Sequence, residues 1–387
     1  MGTMPANTDI EASGSAGTAG GAGATGAAGA GGTGGTGGGA GTNVASTAGA
    51  AGVSTPPPDA GAPDAATEGD PGAGGAPAGS PVALHGALKA LGSHIVGADG
   101  KPVQLKGMSL YWSQYPAGAS FYNADVINWL VKDWHISIIR IAIAATGADD
   151  GDYLEDPQGQ LQRLDEVVQA AFANGIYAIV DWHDHEAAQH LAAAKTFFDA
   201  ASKRYGDRPN VIYEIWNEPL GNEGLTWTGN LKPYAETISK VIRAHDPSNL
   251  MVVGTPFWDQ QPSSVIGNPV ADVNVAYTLH FYAGYPAHYF SGDVGKNAQA
   301  AVAGGIPLFV TEWGTTDPNP QTMFNEAESR TWMAFLDQNL ISSCNWSISG
   351  ANEGSSALLQ GASTTGGWKD SDLSQSGLFV RSLIRGF

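Results

Sequence analysis

Apolar residues recur along this chain in two alternating rhythms. From about residue 100 onward, short runs that are continuously apolar or that alternate with polar residues are separated by stretches whose apolar side chains fall three and four positions apart. The first rhythm is that of a buried strand and the second that of an amphipathic helix. The strand runs are Val103–Leu110, Ser137–Ile143, Tyr177–His183, Val211–Glu218, Met251–Pro256, Val275–Tyr282, Pro307–Gly314 and Ile341–Ser349. Between them, Asn123–His135 sets Val126, Ile127, Leu130, Val131 and Trp134 at helical spacing, with Asn123 placed to cap the first turn. Gln160–Asn174 gathers Leu161, Leu164, Val167, Val168, Ala171 and Phe172 on one face, and Gly175 follows as a C-terminal cap. Further helices are expected over Ala187–Tyr205, Leu231–His245, Asp293–Gly304, Phe324–Leu340 and Ser374–Ile384, whereas Phe257–Pro269 offers only a short one. Eight strands alternating with helices predict an α/β fold, the (β/α)8 TIM barrel. An open doubly wound sheet would carry a glycine fingerprint at its first turn, and the sequence has none there.

The pattern is absent from residues 1–80. That segment has no Lys, Arg, Phe, Tyr or Trp and holds 24 of the chain's 53 glycines. It has too little apolar side-chain area to offset the entropy of ordering its backbone, so it is expected to be a disordered Gly/Ala/Pro-rich linker. Residues 81–387 are then the one folded domain, and the linker would act as a spacer from an anchor or binding module lying upstream.

Charge narrows the partners. The formal net charge is -19; six acids and no bases in the first 80 residues leave -13 on the remainder. Such a surface disfavours nucleic acid, whose phosphates reward clustered Lys and Arg, and it disfavours an anionic membrane. A neutral polymer meets no such objection. No apolar run reaches the roughly 18 residues of a membrane-spanning helix, and residues 1–30 lack the basic start and apolar core of a secretory signal. The single cysteine, Cys344, has no partner for an internal disulfide and reads as a small core side chain.

The predicted strands end in chemistry. Arg140, His183, Asn217, Glu218, His280, Tyr282, Glu312 and Trp346 all fall at or near the C-terminal ends of apolar runs. That rim is where the catalytic groups of a closed barrel collect. Any one of them has a structural explanation: an ion pair for Arg140, a satisfied buried histidine for His183, core packing for Trp346. Eight converging on one mouth point instead to a site, and two facing carboxyl groups are the minimum equipment for breaking a glycosidic bond.

Around these residues the stretches Gly107-Met-Ser-Leu-Tyr-Trp-Ser113, Asp181-Trp-His183, Val211-Ile-Tyr-Glu-Ile-Trp-Asn-Glu-Pro219, Tyr277-Thr-Leu-His-Phe-Tyr-Ala283, Leu308-Phe-Val-Thr-Glu-Trp-Gly314 and Asn345-Trp-Ser347 resemble glycoside hydrolase family 5, and within it the bacterial endo-β-1,4-glucanases (cellulases). The resemblance runs from about Val103 to the C-terminus. It implies a secreted or cell-surface enzyme that needs no cofactor and no metal and hydrolyses β-1,4-glucan with retention. Glu218 is implied as acid/base and Glu312 as nucleophile, with Arg140 and Tyr282 favouring the charged form of Glu312. Burial and the facing carboxylate are expected to raise the pKa of Glu218, with His280 holding it in place. Asn217 is implied to meet the 2-hydroxyl of the sugar beside the scissile bond, His183 another hydroxyl, and Trp346 the sugar's face. Tyr111, Trp112, Trp258 and Trp368 are expected to line the cleft. Glu353 matches a position that binds a more distant glucose, although Ala351 stands where many relatives carry lysine.

Three alternatives remain at this level. His183-Asp-His185, joined by His280, has the spacing of a metal-ligand set and would suit a metal-dependent barrel hydrolase. A glycan-binding barrel without catalysis would be expected to have lost a carboxylate. On the same scaffold the substrate could be mannan or xyloglucan, a choice that depends on loops.

Overall fold

The computed structural model describes residues 75–147, 151–221, 224–318 and 323–386. Most of the expected linker, residues 1–74, therefore lies outside the described residues. Its last part does not: Ser80 is buried, accepts from the amide of Ala83 to cap a short helix Pro81–His85, and lies against Gly175 together with Pro77.

Eight parallel strands close into a barrel in chain order: β1 (Lys106–Leu110), β2 (Ile138–Ala144), β3 (Tyr177–His183), β4 (Val211–Glu214), β5 (Met251–Val253), β6 (Val275–Tyr282), β7 (Leu308–Gly314) and β8 (Ser343–Ile348), with β8 pairing back onto β1. Helices α1 (Ala124–Trp129), α2 (Pro157–Asn174), α3 (Leu191–Tyr205), α4 (Lys232–Arg243), α5 (Asp293–Ala303), α6 (Glu326–Gln338) and α7 (Gln375–Arg385) follow the strands, except that β5 is followed by a 3-10 turn, Pro262–Val265. The expected caps are present. Asn123 Oδ1 accepts from the amide of Val126, and Gly175 ends α2 in the left-handed conformation. Four expected strands are shorter than their apolar runs by three residues or more. β1 begins only at Lys106 and β8 covers only Ser343–Ile348; β4 stops at Glu214 and the chain bends at Asn217 before Glu218; β5 stops at Val253, before Pro256, which has no N–H to give a ladder.

Strand parity sorts the side chains into two compartments. On β2, Ile139, Ile141 and Ile143 face the helices while Ile138, Arg140 and Ala142 face the barrel interior; on β3, Ala178, Val180 and Trp182 face outward and Tyr177 and Ile179 inward. The lower interior is apolar and is closed from below by Leu88, Ile95, Val103 and Leu105, which flank or belong to a hairpin of Lys89–Leu91 and His94–Val96. Above this plug the inward positions turn polar. Two bulges adjust the top layer. The β6–β7 register slips between Thr278 and His280, so Thr311 and Glu312 both reach interior partners although they are adjacent. The β8–β1 register slips between Trp346 and Ile348, which leaves Trp346 in the mouth and Ile348 in the outer core.

Closure depends on close backbone approach at β1. A Cβ on Gly107 would lie 1.8 Å from the carbonyl oxygen of Ile138, a neighbour that cannot rotate away. Gly107→Ala is therefore expected to force β1 from β2 and destabilise the fold by about 3 kcal/mol or more. Urea denaturation followed by circular dichroism checks this; a midpoint equal to that of the parent would refute it.

Candidate active site

Arg140 sits wholly buried in the upper barrel, and each of its nitrogens is committed. Nε donates to Glu214 Oε2 at 2.7 Å; Nη1 donates to Glu312 Oε2 at 2.8 Å; Nη2 donates to Asn217 Oδ1 at 2.5 Å and also meets Glu214 Oε1 at 3.1 Å and Asp181 Oδ2 at 2.9 Å. Burial opposes a charged guanidinium, but Asp181, Glu214 and Glu312 outweigh it and hold the proton firmly. One cation thus faces three acids. The excess falls on Asp181, whose carboxyl is pushed up to about 7, first by burial, with Arg140 pulling the other way; Glu214 is raised as well, again chiefly by burial.

Glu312 is held from both sides. Its Oε2 takes the Arg140 bond and its Oε1 accepts from the Tyr282 hydroxyl at 2.6 Å. These two donors orient the carboxylate. Across the mouth Glu218 Oε1 meets His280 Nδ1 at 2.9 Å, and Glu218 Oε2 lies 3.5 Å from His185 Nε2. Oxygen atoms of Glu218 and Glu312 come within 4.8 Å of each other.

The expected elevation of the Glu218 pKa is not found. Burial does push it up, but the hydrogen bonds from His185 and His280 outweigh burial and hold it below the ordinary value. The proton is instead on the other side of the bond. Burial disfavours the imidazolium of His280, yet Asp259, Glu218 and Glu312 raise it to about 9. The hydrogen-bond chain agrees. Thr311 Oγ1 donates to Glu214 Oε1 at 2.7 Å and so accepts from His280 Nε2 at 2.8 Å; Nε2 therefore keeps its proton in either state of the ring, and the second proton of the imidazolium is the one on Nδ1, directed at Glu218. Glu218 and His280 are therefore joined by one hydrogen bond of 2.9 Å, with the proton favoured on His280.

The aromatic floor is built from β1, β3 and β8. Trp346 stacks on His183 with ring centroids 5.2 Å apart and an interplanar angle of 4°, and Tyr111 packs against Trp346 at 5.4 Å. Trp112 stands edge-on to His183 at 4.1 Å. His183 Nδ1 donates to Asp181 Oδ2 at 2.7 Å; burial keeps the ring neutral, so Nε2 is free to accept from a hydroxyl. Trp258 is half-buried beside Gly221, its amide donating to Pro219. Glu353 accepts from Ser355 and is raised to about 7, first by burial; with Ala351 buried nearby, no lysine stands at that neighbouring position to offset it.

Trp368 does not join this surface. It is only 2% exposed, packs against Phe121 and Trp134, and donates Nε1–H to Ser363, so it fills the outer core beneath the loop that follows β8. A tryptophan in a loop was expected to face substrate, but apolar burial was the stronger demand. The alternative metal set fares similarly. Among the described residues, the one group of three potential ligands close enough to hold an ion is Glu218, His280 and Glu312; His183 and His185 do not join His280. Four residues escaped the sequence expectation: Asp181, Glu214, Asp259 and Thr311. For Asp181 and Glu214 the signal was present, since two-residue parity from inward Ile179 and Ile212 places both in the interior.

If Arg140 carries the charge balance, Arg140→Met leaves three acids without their cation. The expected loss is about 3–5 kcal/mol at pH 8. The deficit is expected to shrink at pH 5. Acids raised in the folded state stabilise it below their unfolded pKa and lose that contribution as pH rises through the folded value, about 7 for Asp181; removing Arg140 raises them further. Urea unfolding of both proteins at the two pH values measures the difference, and an equal deficit at both would contradict the charge argument.

A family model described as cellulase (glycosyl hydrolase family 5) matches residues 96–352. Endoglucanase Z of Dickeya dadantii is 40% identical over 289 residues, covering 74% of this chain and 64% of its own. Endoglucanase A of Evansella cellulosilytica is 43% identical over 289 residues, covering 74% of this chain and 57% of its own. The chain thus spans about three fifths of the length of these relatives. Among solved structures, the catalytic domain of Thermobifida fusca endoglucanase Cel5A, in complex with cellotetraose, is 30% identical with a TM-score of 0.73, covering 79% of this chain and 100% of that one.

Proposed function

The chain belongs to glycosyl hydrolase family 5, and from that membership we propose that it is a retaining endo-β-1,4-glucanase acting on internal bonds of cellulose or related β-glucans. The observation that carries the reading is the approach of Glu218 and Glu312 oxygens within 4.8 Å, each with its own donors. A retaining site needs its carboxyl groups about 5–5.5 Å apart, too close for a water to lie between the nucleophile and the sugar.

In the first step Glu312 attacks the anomeric carbon while the leaving glycosidic oxygen takes a proton from Glu218, giving a covalent glycosyl-enzyme and a shortened glucan. Glu218 receives that proton from His280 Nδ1 along the bond they share. In the second step Glu218 takes a proton from water, the water oxygen attacks the anomeric carbon, and Glu312 leaves as the carboxylate. Asn217, its Oδ1 bound to Arg140, presents its NH2 to a sugar hydroxyl. Trp346, Tyr111 and Trp112 offer the apolar faces on which sugar C–H surfaces rest, with Trp258 and Glu353 reaching more distant sugars. The cellotetraose bound to the relative from Thermobifida fusca is a ligand of the same class.

Residues 1–80 are proposed as the spacer between this domain and an anchor or binding module, and the protein as secreted or surface-attached. Among the described residues no helix is long and apolar enough to cross a membrane.

Glu218→Gln is expected to lower kcat on carboxymethylcellulose by about 10²–10⁴-fold. An aryl glycoside with a good leaving group should still trap a covalent adduct at Glu312, visible by mass spectrometry. Proton NMR of the earliest products should show the β anomer; initial α product would sink the mechanism. Assay on carboxymethylcellulose, mannan, xylan and xyloglucan ranks the polymers, and a variant lacking residues 1–74 should match the full chain on soluble substrate.

A further inference from the structure

Asp259 is wholly buried at the foot of the mouth, and the mechanism above does not use it. Its Oδ1 is saturated by the amide of Thr255 and the hydroxyl of Thr278, while its Oδ2 has no hydrogen-bond partner. That free oxygen lies 3.5 Å from His280 Nδ1, the same atom that faces Glu218 at 2.9 Å. The backbone delivers it there at a cost. Phe257, Trp258 and Asp259 are three successive non-glycine residues with φ of 63°, 51° and 59°. The left-handed region is unfavourable for such residues, because Cβ crowds the following carbonyl oxygen. Strain of this kind persists only where the surroundings hold it, and it concentrates at functional sites.

We infer that Asp259 is a positioning residue for catalysis: from behind His280 it holds the imidazolium, and so governs the pH range over which the Glu218–His280 pair keeps the proton that the leaving glucan must receive. Thr311 fixes His280 Nε2 as a donor, so only Nδ1 is free to gain or lose a proton, and it stands between two carboxyl groups. The other charged or titratable groups around the ring are Glu214 on β4, Glu312 on β7, Asp181 on β3 and His288 beyond β6, with His185 on the far side of Glu218. None of these reaches Nδ1 as Asp259 does. Among the groups that raise the His280 pKa, Asp259 is the largest; burial drives Asp259 itself toward the neutral acid, and His280 is the chief influence against that. This inference rests on Glu218 as the acid.

Asp259→Asn keeps an acceptor for Thr255 and Thr278 but turns an amide toward Nδ1, which favours the neutral ring. Two readouts test it in the full chain. In 15N–1H spectra of the histidine rings, the His280 titration is expected to fall by about one pH unit or more. In the pH profile of kcat/KM on a soluble β-glucan, the alkaline limb should move down by a similar amount, a roughly tenfold loss on that limb with KM at the optimum unchanged. Thr278→Val, which withdraws one donor from the Asp259 anion, should shift both in the same direction by less, and it serves if the first variant folds poorly. A His280 titration that stays in place in either folded variant overturns the inference. If the titration moves while the activity limb does not, the Asp259–His280 pairing stands and the assignment of Glu218 as the acid fails.

Discussion

A single buried guanidinium sets the terms for everything in the upper barrel. Arg140 comes from β2, yet its donors end on β4, on β7 and on the chain beyond β4, and its charge also faces Asp181 on β3. A planar fork with fixed angles leaves its partners little freedom, so their positions are correlated through it. Removing such a cation from water is costly and is offset only when the partners are charged, close and complete. The orientation of Glu312 and the direction in which Asn217 presents its amide follow from this one requirement.

The site divides into a half around Glu312 and a half around the Glu218–His280 bond, and a wholly buried residue joins them. Glu214 accepts from Arg140 on one side and from Thr311 on the other, and Thr311 in turn accepts from His280. Glu312 and the Glu218–His280 pair are therefore linked through a continuous polar chain. A barrel interior rich in carboxyls can carry it because several of them, Asp181 and Glu214 among them, are shifted toward their neutral forms by burial.

Much of this was legible in the sequence for a definite reason. Period-two apolar runs ending in polar groups mark parallel strands with a chemical rim, and the eight strands, their order and the Glu218–Glu312 pairing of mouth acids follow from that. Asn123 and Gly175 were readable as caps because their local chemistry suffices. What could not be read depends on tertiary context. The Glu218 pKa is set by His185 and His280, which arrive from other strands. Trp368 in a loop looks the same whether it meets a sugar or, as here, Trp134. Asp259 gave no signal, because three consecutive left-handed residues carry no glycine to announce them. Thr311 faces inward only because a bulge breaks the parity of β7.

The closure of β8 onto β1 has a consequence for the order of assembly. Lys106 pairs with Ser343, and the amide of Leu105 donates to Ser342 Oγ some 237 residues away. Contacts of such separation are slow to form, because the chain between them must be gathered first. Arg140 likewise reaches Glu312 across 172 residues. The polar layer of the upper barrel is therefore complete only when the last strands have docked, since Glu312 comes from β7 and the barrel is shut by β8. The part of the molecule with the most chemistry is in this sense the part that depends most on its most distant contacts.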